Sequence, residues 1–222
     1  MIHRRMKRVF LSILFLISAP ALAAYGQTDG KIAAPEAEKA PAVSYGLVVD
    51  NSGSFRLILD KVIGLTRDIV DENKNDDETF LVRFTDTEKI RIVQDFTSVK
   101  EDIQDAADNL YIESGQTAIL DALYVSAKYL VKKAKDEPGR RHVLILISDG
   151  EERSSATRYE VLAQYLKEHK IAVFAVGMAE EKIFTTFLSK VARESGGRLY
   201  TAKTAAEINA AVKSLVVDIR KK

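Results

Sequence analysis

Tyr45-Gly-Leu-Val-Val-Asp50-Asn-Ser52-Gly-Ser54 is the segment on which the reading of this chain turns. Its first half is an apolar, β-branched run of the kind that forms a buried strand. Its second half breaks into an acid and two hydroxyls at alternate positions. Asp50, Ser52 and Ser54 can turn three oxygens toward one point if the chain bends sharply, and a hard cation such as Mg²⁺ or Mn²⁺ takes oxygen ligands of this type. Gly53 tolerates the backbone angles of such a bend. The same residues also suit a plain turn followed by a helix cap. Taken alone, the segment leaves both readings open.

Outward from this segment, strand-like runs alternate with segments of helical period, which predicts an α/β fold around a mostly parallel sheet. Ile58, Val62, Leu65 and Ile69 recur at helical spacing, and the polar segment Asp71 to Glu78 ends that helix. Thr79 to Thr85 is a second strand. Ile90 and Ile92 alternate with charged neighbours in a third, and the short link at Asp86 and Thr87 implies an antiparallel pair with the charged strand at the sheet edge. Thr97 or Ser98 is expected to cap a helix carrying Val99, Ile103, Ala106, Ala107 and Leu110. The strongest amphipathic pattern comes next, with Leu120, Leu123, Tyr124, Ala127, Leu130, Val131 and Ala134 on one face.

His142 to Ser148 is apolar almost throughout, as a central parallel strand covered on both faces should be, and it stops at Asp149-Gly150. A helix with Val161, Leu162, Tyr165 and Leu166 leads to a strand from Ile171 to Val176. A further helix uses Phe184, Phe187, Leu188, Val191 and Ala192, and Gly196-Gly197 separates it from a short strand, Arg198 to Thr201. The last helix carries Ile208, Val212, Leu215, Val216 and Ile219. Arg220, Lys221 and Lys222 are placed to complement its dipole.

The 222 residues allow one domain with a substantial core after an N-terminal targeting segment. Residues 1–23 have the form of an export signal: Arg4, Arg5, Lys7 and Arg8, an apolar run from Val9 to Ile17, and small residues ending in Ala21-Leu22-Ala23. The alternative is an uncleaved anchor, although the run is shorter than the roughly 20 residues of a spanning helix. Residues 24–42, rich in Ala, Pro, Glu and Lys, form a flexible linker by composition, and residues 43–222 are the folded domain. The expected location is therefore periplasmic or extracellular, with no membrane span after signal cleavage. Cysteine is absent, which excludes disulfides, thiol catalysis and Cys-based zinc sites. The 33 basic and 32 acidic residues nearly cancel, so nothing in the overall charge suggests nucleic-acid binding.

In open α/β sheets, ligands collect at the carboxyl ends of strands. Two central strands end in acids, Asp50 and Asp149, and a third loop offers Thr117 just before a helix. Each has an ordinary structural role available to it, as a turn or a cap, but all three fall at one end of the sheet.

These three segments resemble the metal-ion-dependent adhesion site of the von Willebrand factor type A domain. In that family an Asp-x-Ser-x-Ser strand end, a threonine and an aspartate hold a divalent cation. Asp50, Ser52 and Ser54 match the first, Thr117 in Gly115-Gln-Thr-Ala-Ile-Leu-Asp121 the second, and Asp149 in Ile147-Ser-Asp-Gly150 the third. The similarity extends over about residues 43–217, and segments such as Asp95-Phe-Thr-Ser98 are similar to an exported bacterial branch seen in acidobacterial proteins.

The resemblance implies a doubly wound, mostly parallel six-stranded sheet with one antiparallel edge strand and helices on both faces. It also implies an adhesion or assembly function, with Mg²⁺ or Mn²⁺ as cofactor and a partner protein that presents an Asp or Glu carboxylate. Two carboxylates and three hydroxyls around a dication leave the site near neutral, so a partner carboxylate can complete the shell. Asp121, in the first turn of its helix, could orient a metal-bound water or simply favour the dipole. Gly150, Glu151 and Glu152 come after Asp149, the two glutamates as a solvated acidic loop that could tune the site's charge. Asn51 and Phe55 are expected at the rim.

A hydrolase using Ser52 or Ser54 as nucleophile needs a histidine base, and none of His3, His142 and His169 is placed to serve. A metal-assisted hydrolase normally wants more carboxylates or a lysine clamp. The domain is accordingly expected not to be an enzyme. The remaining alternative is an interaction module of the cell envelope that has lost metal dependence.

Overall fold

Six runs pair into one sheet in the computed structural model, which describes residues 40–221. They are β1 (Val43–Asp50), β2 (Glu78–Phe84), β3 (Ile90–Thr97), β4 (Arg141–Ser148), β5 (Ile171–Gly177) and β6 (Leu199–Thr201). Six helices join them: α1 (Leu59–Asp71), α2 (Lys100–Asp108), α3 (Ile119–Lys133), α4 (Tyr159–Glu168), α5 (Thr185–Glu194) and α6 (Ala205–Asp218). The spatial order is β3-β2-β1-β4-β5-β6, and every neighbouring pair is parallel except β2 with β3. The segments expected to be an export signal (1–23) and, for the most part, a linker (24–42) lie outside the described residues. No helix among the described residues is long and apolar enough to cross a membrane.

Alternation along the central strand assigns the two faces. Tyr45, Leu47 and Val49 point into a core closed by Val62, Leu65 and Ile69 of α1, Ile103 of α2 and Leu215 of α6. Val48 points the other way, into a core closed by Leu123 and Leu130 of α3, Leu162 of α4 and Leu188 of α5. β1 is buried throughout and β4 from Val143 onward, which is why both carry long apolar runs. The chain moves outward from β1 in opposite directions, so the crevice beyond the carboxyl ends of β1 and β4 is the switch point of the sheet.

The turn after α5 shows how tightly the layers close. Gly196 takes a left-handed φ of 86° at the helix end, and Gly197 then runs so close to β5 that a Cβ would stand 2.0 Å from the Val173 carbonyl oxygen. Gly197→Ala is expected to cost about 2–3 kcal/mol, measured as a lower urea midpoint at unchanged slope.

Three expectations are corrected at the edges of elements. The helix α2 is capped at Val99, which is 51% exposed, and neither Thr97 nor Ser98 is the cap residue. Thr97 ends β3, and its hydroxyl instead accepts from the Val99 N–H at 3.0 Å and donates to Asp102 at 2.7 Å. The segment Asp71 to Glu78 is not merely a polar loop, because Asp77 and Glu78 are 1% and 5% exposed. Glu78 accepts from the Ser44 hydroxyl at 2.6 Å and from the Lys135 N–H at 2.8 Å. Arg220 does not serve the α6 dipole. The helix ends at Asp218, and the Arg220 guanidinium turns back to Asp77 with bonds of 2.9 and 2.6 Å to its two carboxylate oxygens. The same carboxylate accepts from the N–H of Val43 at 2.9 Å and of Lys74 at 2.7 Å.

Candidate metal centre

Asp50 is the last residue of β1 and fully buried. One carboxylate oxygen accepts from the Ser52 N–H at 3.0 Å, and the other from the Ser148 hydroxyl at 2.8 Å. Burial, with a smaller push from the negative charge of Asp149, raises its pKa to about 7. After Asp50 the chain turns into a 3-10 turn, Gly53–Phe55, which brings the Ser52 and Ser54 hydroxyl oxygens to 3.1 Å from each other. Two ligands on adjacent vertices of an octahedron with metal–oxygen bonds of 2.0–2.1 Å would be about 3 Å apart. The spacing fits a small hard cation.

Asp149 lies just past β4 at 4% exposure, and its carboxylate accepts from the Glu151 N–H at 2.9 Å. Gly150 must be glycine: φ is 84°, and a Cβ would meet Leu188 Cγ at 2.6 Å and the Phe184 carbonyl oxygen at 2.9 Å. Thr117, 5% exposed, is fixed by its backbone, whose carbonyl accepts from the N–H groups of Arg153 at 2.9 Å and Ser154 at 3.2 Å. Ala118 next to it donates to the Thr85 carbonyl at 2.9 Å. The Thr117 and Asp149 loops are thus laced together, and Ser148 ties the Asp149 loop to Asp50.

No ion pair among the described residues involves Asp50 or Asp149. Asp50 has no cationic partner and Asp149 only the more distant charge of Arg153, so the two nearly buried carboxylates and the serine hydroxyls make an oxygen-only donor set short of positive charge. Such a set suits a hard dication better than a soft metal. Among the described residues no three His, Asp or Glu side chains converge as a metal site, so a cation here would need hydroxyl ligands such as Ser52 and Ser54 beside the carboxylates.

The neighbours divide into supports and surface. Asp121 accepts from the Thr87 hydroxyl at 2.5 Å and from the N–H groups of Ala156 and Thr157 at 2.9 and 2.7 Å. Burial alone would raise its pKa, but the bonds from Thr157, Thr87 and Ala156 outweigh it, and the net shift is downward. Asp121→Ala is expected to cost about 2–3 kcal/mol at pH 7. Because the folded-state pKa is depressed, the stability difference between parent and variant should shrink as the pH falls below the ordinary value of 3.8, as urea unfolding at several pH values would record. Glu152 is not a freely solvated acid: its carboxylate accepts from the N–H of Leu120 at 3.0 Å, in the first turn of α3, and from Ser155. Glu151 pairs with Arg153 at 2.6 Å.

Asn51 and Phe55 are not at the rim. Both are fully buried, because the 3-10 turn carries the Phe55 ring back into the α1 face of the core. The Asn51 side chain donates to the Tyr111 carbonyl at 2.6 Å, and its own backbone carbonyl accepts from the Glu113 N–H at 2.9 Å. Ser148 is a supporting residue that sequence reasoning misses. The signal available is a single hydroxyl closing an apolar strand.

Neither histidine of the described residues lies at the serines. His142 is near the start of β4, at the pole opposite Asp50, and His169 caps the end of α4 against the Tyr165 ring. Beside Ser54 and Asp149 opens a groove of about 600 Å³.

Residues 46–214 match the model of the family described as von Willebrand factor type A domain. Human vitrin is 30% identical over 139 residues, which are 60% of this chain and 20% of vitrin, so the match spans about a fifth of that relative. Among solved structures, an aerotolerance-related membrane protein from Bacteroides fragilis superposes with a TM-score of 0.65 at 18% identity, covering 81% of this chain and all of that one. Proximal thread matrix protein 1 from the mussel byssus, with a zinc-occupied MIDAS motif, gives 0.64 at 21% identity, covering 80% of this chain and 45% of that one.

Proposed function

Since the chain belongs to the von Willebrand factor type A domain family, whose domains are protein-interaction modules, we propose that it docks a partner protein through a divalent cation held by Asp50, Ser52, Ser54, Thr117 and Asp149. The observation that carries this reading is a pair of nearly buried carboxylates, neither in an ion pair, with serine oxygens 3.1 Å apart next to Asp50. When bound, the cation supplies an open coordination position for an Asp or Glu carboxylate of the partner. The protein's own residues do the rest. Asp50 and Asp149 provide the negative charge, Ser148 and the Ser52 N–H aim the Asp50 carboxylate, and the bonds from Arg153 and Ser154 hold the Thr117 loop in register.

Mg²⁺ or Mn²⁺ is the cation proposed, on the all-oxygen donor set; the mussel protein's zinc makes zinc a necessary comparison. Residues 1–23 are proposed to direct export and to be removed, with residues 24–42 as a linker to the domain. The B. fragilis structure, named as a membrane protein, agrees with an envelope setting.

The test is capture from a cell-envelope extract in Mg²⁺ and again in EDTA. Proteins retained only with the metal are expected, and retention indifferent to EDTA overturns metal-dependent docking. For export, N-terminal sequencing of the secreted or periplasmic protein should begin at Ala24, and a retained Met1 refutes cleavage.

A further inference from the structure

The groove beside the metal centre is not closed at its far end. Its first part is lined by Ser54 and Asp149, by Arg56 and Leu57 on the turn entering α1, and by residues 179–182 after β5. Leu57, Ala179 and Glu180 also line a second hollow of about 180 Å³, whose far wall carries Lys61 and Lys203. The two hollows therefore border each other along Leu57, Ala179 and Glu180. A segment crossing Leu57 would pass, as along a channel, from Asp149 to a pair of lysines on α1 and on the turn before α6.

Leu57 is 71% exposed, the largest exposure among the bulky apolar residues of the chain's described part. A leucine so exposed at the middle of a channel offers an apolar contact to whatever lies there. The charges along the channel are unevenly satisfied. Arg153 is engaged by Glu151, and Lys182 stacks on the Phe184 ring at 4.5 Å. Arg56, Lys61 and Lys203 form no ion pair among the described residues, and the same holds for Glu180 and Glu181. Lys203 shares its charge with Glu207, whose pKa it helps to lower, and Glu180 borders both hollows; with the metal balancing Asp50 and Asp149, Arg56 lies at the near end and Lys61 and Lys203 stand together at the far end. This charge pattern complements an acidic segment.

We propose that the channel takes an extended acidic segment of a partner protein, one carboxylate at the metal, an apolar side chain on Leu57, and a second acid reaching Lys61 and Lys203. The inference rests on the docking reading above and adds the class of segment recognised. A lone metal–carboxylate bond would accept any exposed acid. The lysine pair and Leu57 make recognition depend on the partner's residues flanking that acid, so selectivity lies in the channel and not at the metal.

Fluorescence anisotropy of labelled peptides with the purified protein in Mg²⁺ tests this. The probes are Gly-Gly-Asp-Gly-Gly, Gly-Gly-Asp-Leu-Gly-Glu-Gly and the latter in reversed order, since the channel does not dictate chain direction. One of the two-acid peptides is expected to bind at least about tenfold tighter than the single-acid peptide, a gain equal to a 1.4 kcal/mol difference. In the double variant Lys61→Gln/Lys203→Gln the ratio of the two affinities is expected to fall severalfold, to the share that the peptide leucine gains on Leu57. Equal affinities in the parent, a ratio undiminished in the double variant, or no binding of any peptide to metal-loaded protein overturns the proposal. Mg²⁺-dependent dimerisation seen by sedimentation and abolished by the double variant also overturns it, and assigns the channel to a second copy of the chain. Failure of the docking reading itself has a separate signature: neither Mg²⁺ nor Mn²⁺ changes the melting temperature.

Discussion

Asp50→Asn should abolish the thermal stabilisation that millimolar Mg²⁺ or Mn²⁺ gives the parent protein, while leaving the metal-free protein at least as stable as the parent. Both halves come from one fact, a fully buried carboxylate with no cation beside it. Burying such a charge is costly when it is unpaired, and here the cost is visible in a pKa raised to about 7. Asparagine has the same shape and no charge, so in the absence of metal it removes the burden. With metal the sign reverses, because the carboxylate supplies much of the binding energy. At a metal concentration 100-fold above Kd the parent gains about 2.7 kcal/mol, which for a domain of this size is on the order of 5–10 °C. The check is a pair of melting curves for each protein, in metal and in EDTA. A parent curve indifferent to metal sinks the site, and a variant markedly less stable than the parent in EDTA shows that Asp50 is structural.

The second large effect belongs to the opposite pole. Asp77→Ala is expected to destabilise by about 3–5 kcal/mol, since it strands a buried guanidinium. The Arg220 side chain is 8% exposed and Asp77 is fully enclosed, and the same carboxylate also holds the N–H of Val43 at the start of the central strand. Asp77→Ala/Arg220→Ala should cost clearly less than the sum of the single changes, because the double variant leaves no unpaired charge. Urea unfolding of the four proteins measures the coupling, and strict additivity would show that the pair acts as two independent surface groups.

These two residues also mark where sequence reading stops. Asp77 and Arg220 are 143 positions apart, in segments that by composition are a polar loop and a basic tail. Nothing local distinguishes a buried acid from a solvated one. The same holds for Glu152, which looks like half of a charged pair and in fact serves Leu120, 32 positions before it. Asn51 and Phe55 lie inside and not at the rim for a related reason: a 3-10 turn reverses which side chains face inward, and no periodicity extends over three residues. By contrast, β1 and β4 are legible because burial on both faces leaves an unbroken apolar run, and the acids that end them can only fall at one end of a parallel sheet. The six strands, the antiparallel edge and helices on both faces emerge from the alternation of periods and from the family resemblance. The residues proposed as donors are legible as types at spacings. The hydrogen bonds that aim them, above all from Ser148, require the fold.

β1 starts at Val43 and ends at Asp50, and it is paired along its length with β2 on one side and β4 on the other. A pull between the chain entering at Val43 and a partner held at Asp50 would therefore run lengthwise through this one strand. That line of force is the covalent backbone of β1 itself, and the ladders on either side lie outside it, so tension between the two ends need not open a hydrogen bond. If a partner docks at Asp50 as proposed, the sheet would be spared the load that reaches it through Val43.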